Sequence, residues 1–119
     1  MAWQTARVAE ITDDFMREQM TRTRAYSVVL LHAGERHGAE GSDKIIWEHG
    51  RNNFSMRADG LLSIVCPVRD ESTLCGVGIS NASIEETTKL MEADPGVQAG
   101  VFTFEVHPAR SFPGDALPS

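Results

Sequence analysis

Along the chain, apolar residues recur every three or four positions in three stretches and alternate or run together in four others. The first spacing predicts helices and the second predicts strands. Residues 5–22 carry Val8, Ile11, Phe15, Met16 and Met20 at helical intervals among charges. They predict an amphipathic helix that packs on the domain or on a second subunit. Residues 26–32 are nearly continuously apolar, as in a central strand. In residues 43–60, Ile46, Gly50 and Phe54, with Trp47 one position aside, form an apolar or small stripe. Ser42 or Asp43 is the expected cap of this helix, and Gly60 its left-handed stop. His49 lies about 100° round the helix from Gly50, on the shoulder of the stripe and half-buried.

Residues 61–68 and 74–80 read as two strands joined by the charged turn 69–73, a hairpin. Ser83-Ile84-Glu85-Glu86 is a capping box that opens the next helix. Ile84, Thr87, Thr88, Leu90 and Met91 give that helix a buried side, and it stops at Asp94-Pro95-Gly96. In residues 100–108, Val101, Thr103 and Glu105 alternate against Phe102, Phe104 and Val106, which predicts the last strand. The expected organisation is a helical extension over residues 1–25, a domain over 26–108 and an irregular tail over 109–119. Strand, helix, strand, strand, helix, strand is the α+β order of a ferredoxin-like βαββαβ fold, here with an extra N-terminal helix. Its helices cover one sheet face only. A second copy, sheet against sheet, is the simplest cover for the other, giving a symmetric homodimer.

Composition narrows the partners. A formal net charge of −6 over 119 residues speaks against nucleic acid, which needs clustered Lys and Arg. The longest apolar run, Val28-Val29-Leu30-Leu31, falls far short of a membrane span. The first helix mixes acids and bases on its polar side, which argues against a membrane surface. Residues 1–10 lack the charged-then-apolar layout of a secretory signal, so a cytoplasmic location is expected. Cys66 and Cys75 flank the hairpin turn, which is able to bring them opposite each other; reduced small core residues are the preferred reading, with a pairing left open. The glycine-rich loop 33–42 is suited to rim a ligand pocket. His32 just before it and His37 and Glu40 within it have neither helix-face nor CxxC spacing, so no metal site is expected. Phosphate-binding glycine patterns are also missing from it.

Trp47-Glu48-His49, Gly60-Leu61-Leu62 running to Pro67, and Asp94-Pro95 followed by Ala99-Gly100 resemble the YCII-related domain family over about residues 26–106. Cys66-Pro67 stands where that family usually has Gly-Pro. The resemblance implies a ferredoxin-like subunit, a dimeric α+β barrel and a cleft holding a His–Asp pair. By that match the pair is His49 and Asp94. One branch of the family resembles a dehydrochlorinase of chlorinated hydroxyquinols with the histidine as base, and the wider superfamily includes muconolactone isomerase.

Such a pair makes chemical sense. Imidazole exchanges protons near neutrality, and a carboxylate on one ring nitrogen fixes the tautomer and stabilises the imidazolium. The implied activity is a cofactor-free lyase or isomerase acting on a small oxygenated or aromatic substrate. The alternative is a non-catalytic module that binds a small ligand in the same cleft. Each residue also has a plainer reading: His49 only packs, and Asp94 only bonds local backbone before Pro95. Trp47 either walls the pocket or is core; Arg51 either holds an anionic substrate or is solvated; Ser27 on the first strand is a candidate to point into the cleft. No serine or cysteine sits in a nucleophile-elbow pattern.

Overall fold

Four antiparallel strands form one sheet in the order β2-β3-β1-β4, where β1 is Arg24–Ala33, β2 Leu62–Pro67, β3 Leu74–Ser80 and β4 Phe102–Ser111. The computed structural model describes residues 10–119. Helix α1 (Asp13–Met20) precedes β1; α2 (Ser42–Ala58) links β1 to β2; α3 (Ile84–Glu92) and the short α4 (Pro95–Gln98) link β3 to β4. This connectivity and strand order are compatible with a ferredoxin-like fold. Among the described residues, no helix is long and apolar enough to cross a membrane.

The chain separates into two units, residues 25–110 and the two chain ends, 1–24 with 111–119. In the unit of the ends, α1 is capped by Thr12, whose hydroxyl accepts from the Phe15 N–H at 3.1 Å. The predicted helix began at residue 5, but residues 5–9, with Val8, lie outside the described residues. None of the residues of α1 is buried.

In residues 25–110, β1 and β3 pair Ser27 with Ser80, Val29 with Gly78 and Leu31 with Gly76. Those β1 residues are buried while Val28 and Leu30, on the opposite face by alternation, are half-buried. The core is Val29, Leu31, Met91, Val101 and Phe102, with Ile45, Ile46 and Val97 of the helices packed against it. Each such buried side chain contributes about 1.5–3 kcal/mol. Ser83 caps α3 by accepting from the Glu86 N–H at 3.1 Å, the hydroxyl half of the predicted capping box. The last strand keeps its predicted inner side, Phe102, Phe104 and Val106, but runs on to Ser111 through residues expected in the tail.

Helix α2 departs from its sequence reading. It begins at Ser42, and the residue at its N-cap is Gly41, which offers no side-chain cap bond. Its buried residues are Ser42, His49 and Met56, whereas Trp47 is 70% exposed and Phe54 62%. The inward face is therefore turned by about 100° from the apolar stripe, so that His49 lies at its centre and not on a shoulder. Ser42 and His49 share that face with Met56 and the flanking Ile45, while Ile46, Gly50 and Phe54 of the stripe line the cavity described below. Gly60 follows the helix at φ 77°, the left-handed position expected of it.

Candidate functional site

Asp94 ends the link from α3 and caps α4, with Pro95 at the first helical position. Its carboxylate is fully buried. Oδ2 accepts from the Gly96 N–H at 2.9 Å and the Val97 N–H at 3.2 Å, which is the cap itself. A Cβ on Gly96 would stand 2.6 Å from the Phe102 ring, so only glycine lets this turn close against β4. The plain reading of Asp94 as a backbone cap thus holds, and it is half of what the residue does.

The same Oδ2 meets His49 Nδ1 at 2.8 Å, and Asn52 Nδ2 donates to Oδ1 at 3.0 Å. Asn53 Nδ2 lies 3.2 Å from His49 Nε2. An amide nitrogen only donates, so in this orientation Nε2 accepts and the ring proton sits on Nδ1, donated to Asp94. The Phe102 ring packs on the imidazole at 4.7 Å between centroids. Burial pushes the Asp94 carboxyl up. The hydrogen bond and charge of His49, with the Asn52 and Val97 donors, outweigh that and hold it below its ordinary value. Asp94 is therefore an ionised, fully hydrogen-bonded anchor for the ring.

A cavity of about 280 Å³ opens between α2 and the sheet. His49 and Asn53 line it and Asp94 does not, so it is the Nε2 side of the ring that reaches it. The other walls are almost wholly apolar: Val29, Leu31, Ile46, Met91 and Phe102 among them. The glycine-rich loop 33–42, expected to rim the pocket, supplies none of the lining residues; its His37 lies 3.9 Å from Cys75 Sγ and 5.8 Å from Phe102 between ring centroids. His32 turns instead to Glu105, 3.4 Å away.

No protein-family model matches this chain, and no curated protein matches it in sequence.

Of the residues singled out in the sequence, the structure unites His49 with Asp94 and leaves the other three elsewhere. Trp47 faces solvent, neither core nor cavity wall. The Arg51 side chain is 68% exposed and pairs with Glu48 at 3.2 Å, the solvated alternative. Ser27 is buried and donates to the Ala82 carbonyl at 2.8 Å; it is a structural tie outside the cavity lining. Cys66 lies opposite Val77, while Val68 N–H bonds the Cys75 carbonyl, so the two free thiols are not cross-strand partners. Burial pushes the Cys75 thiol up, away from the thiolate a nucleophile needs. Sequence reasoning missed Asn52 and Asn53. They follow His49 by three and four positions, the spacing that shares a helix face, and that was the available signal.

Proposed function

We propose that the chain is a cofactor-free acid–base enzyme of lyase or isomerase type, with His49 as base and Asp94 as its anchor, acting on a small oxygenated or aromatic substrate. The observation that carries this is the buried Asp94 carboxylate bonded to Nδ1, with the Nε2 edge at an apolar cavity. Nε2 takes a proton from the substrate, and the electron pair left behind expels a leaving group or shifts along the molecule. The proton is then returned or lost to solvent. The carboxylate stabilises the imidazolium formed, and the water-poor walls strengthen that attraction. A neutral ring accepts from the Asn53 amide; after proton transfer, that amide turned over offers its carbonyl to Nε2–H. The residues resembling the YCII-related family support this reading, and with both cysteines free we place the enzyme in the cytoplasm, where thiols stay reduced.

We further propose a sheet-to-sheet homodimer closing a dimeric barrel. Val28, Leu30, Val77 and Ile79 lie, by register, on the face away from Val29 and Leu31 and are only half-buried, and apolar side chains left partly uncovered favour association. A sedimentation profile of a monomer at all concentrations would count against it.

The enzyme reading is tested by comparing wild type with His49→Ala and Asp94→Asn on a panel of hydroxylated and halogenated aromatics, folding being checked by circular dichroism. Loss of turnover in both is expected; unchanged turnover in folded variants ends the proposal. A second reading, a non-catalytic ligand-binding module, is favoured by the Asn53 bond that already satisfies Nε2 within the protein. A ligand retained by His49→Ala, with no turnover in wild type, selects it.

A further inference from the structure

The cavity has a feature that helix and strand formation do not explain. Three of its lining residues are glycines: Gly50 in the middle of α2, and Gly76 and Gly78 on β3. Gly50 has no left-handed φ, so its backbone accepts any L-residue except proline. A Cβ there would meet nothing within 4 Å. Glycine inside a helix costs about 0.8–1 kcal/mol relative to alanine, and here neither backbone nor neighbours require it. Opposite, Gly76 and Gly78 pair with Leu31 and Val29 on the helix-facing side of the sheet. Leu62 crowds Gly78, whose Cβ would be 3.1 Å from Leu62 Cδ1, but Gly76 has ordinary room at 3.5 Å. Glycine inside a strand marks the close approach of another group. At Gly50 and Gly76, what a side chain would take away is cavity volume.

Among the described residues, the lining also has no Lys, Arg, Asp or Glu, and His49 is its one titratable group besides the thiols. Against the neutral His49 ring, a charged ligand would lose its hydration there without a counter-charge. The cavity is nearly twice the roughly 150 Å³ that houses benzene in an apolar protein cavity, at 280 Å³.

We propose that Gly50 is the size-determining residue of this cavity, and that the ligand it admits is uncharged, flat and mostly apolar, with one ring and a single hydrogen-bonding end. Resting on the dyad site described above, this fixes the ligand's direction: the polar end meets Nε2 and Asn53, and the ring lies between the bare backbone of α2 at Gly50 and that of β3. An anionic substrate held by Arg51 has no place in it.

The test uses the full ¹⁵N-labelled chain with phenol and benzoate as probes at neutral pH, where phenol is neutral and benzoate ionised. Phenol is expected to shift the amides of Gly50, Gly76 and Gly78 saturably in wild type, and benzoate to leave them in place. Gly50→Leu should weaken phenol binding about tenfold or more, the scale set by excess methylenes in a closed pocket, with Gly50→Ala in between. If Gly50→Leu fails to give a dispersed spectrum, Gly50→Ala carries the comparison. Absence of saturable shifts in wild type, benzoate binding as tight as phenol, or phenol binding unchanged in the folded Gly50 variants overturns the proposal. Binding is read without turnover, so phenol shifts kept in His49→Ala leave this inference standing even where the enzyme reading falls.

Discussion

Replacing Asp94 by Asn keeps the shape of the side chain and removes its charge, which isolates what that charge does. The carboxylate accepts from His49, Gly96 and Val97 at Oδ2 and from Asn52 at Oδ1. In the Asp94→Asn variant, an amide carbonyl at the Oδ2 position keeps the first three bonds; the amide nitrogen then faces Asn52, which turns over to accept. Bonds to an ionised acceptor contribute about 1.5–3 kcal/mol and neutral ones about 0.5–1.5, a loss of about 1 kcal/mol per bond. Burying a neutral group in place of a charged one returns part of this, leaving a net destabilisation of about 2–3 kcal/mol. The pH dependence follows from linkage. The folded carboxyl lies below its ordinary value, so its contribution is fully present above the unfolded value of about 3.9 and is lost as pH falls through the folded value. Urea unfolding of both proteins from about pH 5 down to about pH 3 measures the difference, because carboxylates common to both cancel. The gap should shrink over that range. A gap below about 0.5 kcal/mol at pH 5, or one of equal size at both ends, refutes the argument.

Gly96→Ala should destabilise by about 1–3 kcal/mol in thermal melts, the range for overpacking, because its Cβ would press on Phe102 and on Asp94 Oδ2, 2.6 and 3.1 Å away. It should also disturb the His49 ring resonances, since the cap and the dyad share one oxygen. Trp47→Ala should change stability by less than about 0.5 kcal/mol in urea titrations, as expected for a solvent-facing side chain; a larger loss would mean that the 70% exposed indole is covered in solution.

The elements were legible in the sequence because their periods and punctuation were strong: the alternation through Phe102, Phe104 and Val106, Ser83 before α3, Gly60 after α2, Pro95 after Asp94. Their order implied the sheet, since short connections leave few ways to arrange four strands. The partnership of His49 with Asp94 entered through a resemblance, since nothing in local spacing joins residues 45 positions apart. Tertiary structure decided the rotation of α2. A helix turns its most apolar side inward only where that side gains most, and here the inward face carries His49, Asn52 and Asn53 because the buried carboxylate of Asp94 supplies partners for two of them. That compensation is long-range, so Trp47, read from sequence as core or pocket wall, stands exposed in the fold, and Phe54, also exposed, lines the cavity. The cavity was equally hidden: three separate glycines become one space only when α2 lies over β3.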